Sequence, residues 1–433
     1  NPLLMMESAG RILMLVENHY PQDVRVRNEA TLLASHGYDV SVICVAKAGQ
    51  PRTETIGGVR VYRVPRIELF NKTSADDRGF VGRVALRFKS FLGYLVEYFY
   101  FTSACFFVGA CIFVRRGFDV IHSHNPPDTL FLVGLPFKLF GVKYVFDHHD
   151  LCPELYMSRY GAGEGIFTRL LRIPEWCSLK LATVTIATNE SYKQVQITRG
   201  KRKPETIFIV RNGPDRLRMT QAEPSLRLRA KNKCILAYIG CLNPQDGLDY
   251  LLRSLHKLRY SLNRDDFYCV IMGTGDSLED LRTLSADLKL EEYVELPGFV
   301  SEEDLRANLA AADICVDPDP SSPLNDVSTW IKVMEYMAYA KPIVTFDLKE
   351  TRFSAQSAAI YVPPNDELAF ARGISKLMDS PAMRKELGDF GRKRVETDLQ
   401  WSVVSRKLLE AYGFLFPARE PDVAKEQNPR SIA

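Results

Sequence analysis

Pro318–Thr345 reads PDPSSPLNDVSTWIKVMEYMAYAKPIVT. A loop of Pro, Ser, Asn and Asp gives way to an apolar-periodic helix, between two short runs with the pattern of buried strands, Ile314–Asp317 and Ile343–Phe346. Strand, loop, helix and strand in that order make one crossover unit of a parallel sheet. The helix is expected to start near Asp326 or Ser328, both good N-cap residues, which puts Ser328 and Thr329 in its first turn. Ser328, Lys332 and Glu335 then fall at i, i+4 and i+7, on one face. Free N–H groups, the positive end of the helix dipole and a lysine one turn in make a seat for a diphosphate. Glu335 is positioned to accept two ribose hydroxyls, as acidic residues do in dinucleotide folds. The plain alternative is a surface Lys/Glu pair, worth roughly 0.2–0.5 kcal/mol.

The same alternation runs outward from this unit. Ile360–Val362 follows it, and Ile235–Gly240, Cys269–Met272 and Val294–Leu296 precede it. Further back lie Ile12–Val16, Val40–Val45, Val59–Val64, Val120–His122, Tyr144–Phe146, Val184–Ala187 and Ile207–Val210. Most are unbroken apolar runs, the pattern of parallel strands covered on both faces. With 433 residues the chain exceeds one ordinary core. The expected fold is therefore α/β, two Rossmann-like doubly wound parallel-sheet domains facing across a cleft. The turn cluster Asn212-Gly213-Pro214-Asp215, with the polar stretch 216–233 after it, marks the boundary. The first domain then covers 1–212 and the second 213–400, while 401–433 holds a helical pattern, Trp401–Tyr412, and a loose tail. Ligands of open parallel sheets bind at the carboxyl ends of the strands, so the chemistry is expected in the cleft.

A net charge of +3, with no basic run longer than Arg199-Gly200-Lys201-Arg202-Lys203, argues against nucleic acid as a partner. Nine cysteines stand singly with no C-x-x-C pair, which excludes a zinc cage or thioredoxin-type site of that kind and points to a reducing compartment. No basic and apolar leader opens the sequence, so secretion is not expected.

One segment is too apolar to be read as ordinary core. Phe91–Val114 is FLGYLVEYFYFTSACFFVGACIFV, with Glu97 its only charge; Arg83, Arg87 and Lys89 precede it and Arg115 and Arg116 follow. Its length suits a membrane span, but the strand pattern Val120–His122 follows at once, and a spanning helix cannot be threaded between two strands of one sheet. Two readings stand together: a crossover helix over 84–116 buried on one face, and a monotopic anchor whose outer face, with Phe91, Tyr94 and Phe101, dips into a membrane interface.

Several blocks, in order, carry a resemblance. Lys332-Val333-Met334-Glu335-Tyr336-Met337-Ala338 with Lys341-Pro342-Ile343-Val344 is similar to the E-A-M-A-x-G-x-P-V-V block of retaining glycosyltransferases of family 4, which have the GT-B fold. Asn212–Asp215 resembles their N-G-V-D hinge, Ile239-Gly240 their glycine turn, and Gly247–Leu252 their G-x-x-x-L-L. Met272–Asp276 resembles G-x-G-P, and Leu296–Val300 resembles L-G-x-V. The match spans about Arg11 to Trp401 and looks closest to a subgroup of bacterial surface-polysaccharide and lipid-linked oligosaccharide transferases. There are departures. Val327 stands where the family has a first glutamate that addresses the donor sugar, and Cys241 and Asp246 stand where an Arg and a Lys clamp the diphosphate. Lys332, with Arg211 as second candidate, would have to supply the missing positive charge.

What the resemblance implies is a metal-independent, retaining transfer from a nucleotide-diphosphate sugar, UDP favoured, to a lipid-linked sugar or glycan acceptor. No cofactor is expected. The donor would be held by Arg211, Asn212, Gly240, Gln245, Asp246, Gly273, Gly275, Pro297, Val300, Ser328, Thr329, Lys332 and Glu335, with the base met by backbone near Gly273 and Pro297–Val300. Catalytic roles fall to His124, Lys332 and Asp150. His122 and His124 share one side of their strand by alternation, and His124 is the better match to the family's sugar-contacting histidine. Asp23, Arg25, His122, His148 and Glu154 are assigned to the acceptor, with helix capping a competing reading for Asp23 and a buried structural role for at least one of His122 and His149. Two His-and-carboxylate clusters at adjacent strand ends raise the alternative of a metal site; none is expected. The protein is expected in the cytoplasm, peripheral at the inner membrane face. A degenerate relative acting as a binding partner and a nucleotide-sugar 2-epimerase are the rival functions.

Overall fold

The computed structural model describes residues 9–67, 80–160, 163–214 and 222–417. Among the described residues fourteen strands form two sheets. The first is built from β1 (Arg11–Val16), β2 (Asp39–Val45), β3 (Thr53–Ile56), β4 (Val59–Val64), β5 (Val120–His124), β6 (Lys143–His148), β7 (Val184–Ala187) and β8 (Ile207–Ile209), in the order β3-β4-β2-β1-β5-β6-β7-β8. The second comprises β9 (Cys234–Ile239), β10 (Phe267–Met272), β11 (Val294–Gly298), β12 (Ile314–Asp317), β13 (Ile343–Phe346) and β14 (Ala359–Val362), in the order β11-β10-β9-β12-β13-β14. All pairings are parallel except β3 with β4. Each apolar run read from the sequence became a strand with ends within two residues. β3 was not anticipated, because its four residues TETI, three of them polar, lie at a partly exposed edge and form no apolar run.

In the first domain α1 (Val24–Ser35) packs on one face of the sheet, while α2 (Phe80–Arg116), α3 (Phe131–Lys138) and α5 (Ile166–Leu181) pack on the other. α4 (Cys152–Tyr160) and α6 (Glu190–Thr198) lie beside the carboxyl ends of β6 and β7. Side chains of β1 divide accordingly: Ile12, Met14 and Val16 face the α1 core, and Leu13 and Leu15 the α2 core. α2 connects β4 to β5 within one sheet, so it lies along the domain rather than through a bilayer. Its inward side carries Phe101, Cys105 and Ile112. Phe101 is therefore core, not outer face; the side chains of Phe91 and Tyr94 lie outside the described residues.

The C-terminal helix Arg406–Leu415 does not stay with the second domain. Leu408, Ala411, Tyr412 and Leu415 join the first domain's core with Ile12 and Met14. Beyond it, residues 418–433, where the loose tail was expected, lie outside the described residues, as does Asp215 of the boundary turn.

Candidate functional site: the cleft between two sheets

Both sheets point the carboxyl ends of their strands at one cleft, and one side chain measures how close they come. Asn189, N-cap of α6 at the end of β7, donates through Nδ2 to the carbonyl of Val327 (2.8 Å) and to Thr329 Oγ1 (2.9 Å) in the second domain. Nearby, Glu350 Oε1 accepts from the Ser191 amide (3.2 Å) and hydroxyl (2.6 Å). Val327 packs against Leu151, Ala187 and Tyr192 of the first domain.

The first-domain wall is a buried cluster. His122 and His124 do share a side of β5, with stacked rings 4.3 Å apart. Asp147 Oδ2 lies 2.9 Å from His124 Nδ1, 2.6 Å from His149 Nε2 and 3.7 Å from His122 Nε2. Burial opposes ionisation of Asp147, but the nearby His149 charge and the imidazole hydrogen bonds hold its carboxyl well below the usual range. Burial, with His124 adding repulsion, lowers His122 to about 4. Burial also lowers His124 despite its bond to Asp147. Glu29, from α1, is pushed well above the usual carboxylate range by burial and by the Asp147 charge. Glu29, His122, His124 and Asp147 bring one ligand-type atom each to within 4.8 Å of one another, so this is the group that could hold a metal ion among the described residues.

Asn125 organises the rim of this wall. Its Oδ1 accepts from the amides of His149 (2.6 Å) and Asp150 (3.1 Å), while Nδ2 donates to Asp128 Oδ1 (2.8 Å) and to the Asp150 carbonyl (2.7 Å). Sequence reading missed Asn125 and Glu29, and had Asp147 only as a member of the second His-and-carboxylate cluster. The first was discernible only as the residue ending the His-x-His strand, and Glu29 reads as an ordinary helix position.

Several first-domain expectations are corrected. His148 turns away from the cleft: it is fully buried, with Nε2 3.4 Å from Glu175 Oε1, because adjacent strand residues point to opposite faces. Glu154 is also buried, in an ion-pair network in which Arg199 joins it (2.5 Å) to Glu175 (2.8 Å). Both are structural rather than open to an acceptor. His122 is sealed as well, its Nδ1 2.9 Å from the Tyr412 hydroxyl. Asp23 is the N-cap of α1, accepting from the Arg25 and Val26 amides, and it pairs with the Arg25 guanidinium at 3.0 Å. Its capping reading holds, and Arg25 retains partial exposure.

The second-domain wall also departs from expectation. Asn325–Val327 form a single 3-10 turn, after which Ser328 is extended (φ −90°, ψ 143°), so the helix starts three residues later, at Ile331–Ala338. Ser328 and Thr329 are therefore in the approach to the helix, not in its first turn; Ser328 Oγ donates to the Leu324 carbonyl (2.7 Å). Trp330 occupies the N-cap and makes no side-chain capping bond, which leaves the first amides without that partner. Lys332 and Glu335 are both buried on this helix. Lys332 Nζ is 2.5 Å from Asp319 Oδ2 and 3.2 Å from Asp317 Oδ1, and it lies over the Tyr238 and Trp330 rings. Its charge is thus matched by two carboxylates, with Asp246 close enough to add to the field. Arg211 is 3.7 Å from Glu350 Oε2 and stacks on Phe353 at 3.9 Å.

The glycine turns stand together at the ends of β9, β10 and β11. Gly273 (φ +145°) donates to the Gly298 carbonyl, and a Cβ on it would lie 1.8 Å from the Gly240 carbonyl oxygen, so only glycine lets these loops nest. A Cβ on Gly275 would lie 2.4 Å from the Leu242 carbonyl oxygen. Asn243 and Asp246 form a capping box, and Asn325 Nδ2 ties the Gln245 carbonyl (2.9 Å) to that of Pro320 (2.9 Å). Pro297 and Val300 border the same rim, with Phe299 between them 82% exposed. Asn212 sits partly buried at the hinge beside Gly213.

Two family models match the chain: "Glycosyl transferase 4-like domain" over residues 22–213 and "Glycosyl transferases group 1" over residues 233–380. An uncharacterized glycosyltransferase of Methanocaldococcus jannaschii is 22% identical over 398 residues, covering 88% of this chain and 90% of the relative. The phosphatidylinositol N-acetylglucosaminyltransferase GPI3 subunit of Saccharomyces cerevisiae is 24% identical over 319 residues, 70% of this chain and 61% of that one. Among solved structures, Anabaena HepE in complex with UDP-glucose superimposes with a TM-score of 0.67 at 15% identity, covering 94% of this chain and all (100%) of that one.

Proposed function

The chain belongs to the group 1, family-4-like glycosyltransferases with the GT-B fold, and from that premise we propose that it transfers a sugar, with retention, from a UDP-sugar to a lipid-linked or polysaccharide acceptor at the cytoplasmic face of a membrane. The observation that carries this reading is the meeting of Asn189 with Thr329, which brings the His124 wall and the helix beginning at Ile331 to one cleft. The likeness to a fold that binds UDP-glucose and to a phosphatidylinositol-acting relative supports the donor and acceptor classes.

In this reading the diphosphate rests against the amides that open Ile331–Ala338, which no side chain caps. Lys332 stands behind them within its Asp317–Asp319 pair. Glu335 takes the ribose, and the nested turns at Gly240, Gly273 and Pro297–Val300 receive the base. Across the cleft His124, held by Asp147, orients the sugar, with Asp150 and Arg25 at the acceptor side. Transfer forms the new glycosidic bond as the sugar–diphosphate bond breaks, and the departing diphosphate oxygen takes the acceptor hydroxyl's proton. The protein's contribution is positioning and stabilisation of the leaving charge. This scheme draws on no metal, because the leaving charge is met by the helix amides and Lys332.

A second reading, a degenerate relative that binds without turnover, is favoured by one observation, the pairing of Lys332 with two aspartates where a free cation was expected. A thermal-shift panel of UDP-, GDP-, ADP- and dTDP-sugars, followed by product analysis with the stabilising donor, separates the two. Stabilisation by a UDP-sugar and a product lost in His124→Ala support transfer. Stabilisation without turnover supports the binding partner, and a shift with GDP-sugars alone overturns the donor assignment.

A further inference from the structure

Three helices of the first domain carry apolar side chains where a water-soluble layer would be polar. α2, α3 and α5 lie in one layer, because Cys105 of α2, Val133 and Phe137 of α3 and Leu179 of α5 enter one core on the same face of the sheet. Their opposite sides therefore face the same way, outward.

Along α2 the outward line is Val96, Phe99, Phe107 and Val114, the last two 67% and 85% exposed, at three- to four-residue steps bridged by Ser103 and Cys111. On α3 it is Leu132 and Leu135, ending at Leu139 (88%) and Phe140 (70%). Phe140 meets Phe113 of α2 at 5.7 Å between ring centroids, so the two lines are continuous at that end. α5 repeats the pattern with Ile166, Leu170, Ile173 and Trp176. A helix packed on a sheet and facing water places its polar residues on these positions; here all three helices reverse the rule on one surface. Exposed charge there is mainly basic, since Glu164 before α5 is paired with Arg172 and Glu97 of α2 is only partly exposed. Arg169 and Lys180 stand exposed on the α5 side, with Lys180 5.8 Å from the centre of the Trp176 ring, and Arg115 and Arg116 close α2. Glu175, by contrast, is buried on Arg199.

We infer that the whole α2–α3–α5 face, and not α2 alone, is the docking surface for an anionic lipid bilayer, lying flat on it with apolar residues in the interface and arginines and lysines at the headgroups. This rests on the reading that the acceptor is membrane-borne. It adds that the layer holds the first domain with its sheet parallel to the membrane plane.

The test is co-sedimentation of the full chain with vesicles of phosphatidylcholine alone and of phosphatidylcholine mixed with phosphatidylglycerol. Wild type is expected to bind the mixed vesicles more tightly, and salt to weaken that binding. Three exposed pairs are compared: Phe107→Ser with Val114→Ser, Leu139→Ser with Phe140→Ser, and Ile173→Ser with Trp176→Ser. Each is expected to weaken binding by about tenfold or more, from the apolar area withdrawn. Unchanged circular dichroism and unchanged donor-induced thermal shift separate this failure from failure of the transferase reading. The inference is overturned if only the α2 pair matters. It is also overturned if wild type ignores both vesicles and the same substitutions instead convert a dimer to a monomer in solution.

Discussion

The Tyr412 hydroxyl lies 2.9 Å from Nδ1 of His122, although 290 residues separate them in the chain. Tyr412 rides on the helix that returns from the second domain, and His122 stacks on His124, so this returning helix braces the floor of the proposed catalytic wall. Tyr412→Phe removes this bond and keeps the ring. It should cost about 1 kcal/mol, because His122 loses a buried partner, with kcat falling more than the donor KM. Urea unfolding and steady-state kinetics read the two effects.

Asp147 serves three imidazoles at once. Asp147→Asn preserves the shape but removes the charge that His149 and His124 depend on. We expect a loss of about 2–4 kcal/mol in stability and a collapse of turnover. His124→Ala should abolish turnover with a smaller stability loss, and thermal melts alongside product assays distinguish the two.

Acid should destabilise the protein early. His122 titrates near 4 in the folded chain, through burial and His124 repulsion, against about 6.5 when unfolded. Between those values the unfolded chain takes up a proton that the folded one refuses, so stability falls as pH drops from about 6.5 towards 4, by about 3 kcal/mol at most. Urea titrations across that window should give a positive slope of stability with pH. His122→Asn should flatten it.

Lys332→Met leaves Asp317 and Asp319 buried without their cation. Breaking a buried pair from one side costs about 3–5 kcal/mol, so Lys332→Met should melt well below wild type. Adding Asp319→Asn should recover part of the loss. Donor binding by the double variant then reports whether Lys332 acts on the diphosphate beyond its structural pairing.

Asn189→Ala deletes both side-chain bonds to the second domain. The α6 cap on the Tyr192 amide is lost as well, so stability should fall by about 2–3 kcal/mol with the domains still folded, while the donor KM rises because the closed arrangement is less populated. Equal KM values for the variant and wild type would argue against closure through this contact.

Strand positions were legible because buried parallel strands write themselves as unbroken apolar runs, as Ile235–Gly240 and Ile343–Phe346 do. The glycine turns at Gly240, Gly273 and Gly275 were legible only through the family resemblance, and the structure gives the reason at Gly273 and Gly275, where a Cβ would strike neighbouring backbone. The start of the helix after Pro318 was misplaced because Asp326 and Ser328, good capping residues by type, are taken up elsewhere: Asp326 accepts from the Ser321 hydroxyl, and Ser328 donates to the Leu324 carbonyl. Partnerships across the fold, such as Lys332 with Asp317, His148 with Glu175 and Glu29 with Asp147, are invisible in one dimension. A charged or imidazole side chain at a strand end carries no mark of which neighbour will claim it.

The backbone crosses between the two lobes twice, once after Asn212 and once on the way to Arg406, and the crossings touch: a Cβ on Gly213 would come 3.0 Å from the Trp401 nitrogen. A body joined to another at two adjoining pins can swing but cannot easily slide or spin. Opening should therefore trace a single arc, as a gate does, and each return would bring Ser328 and its neighbours back to the same few ångströms of Asn189.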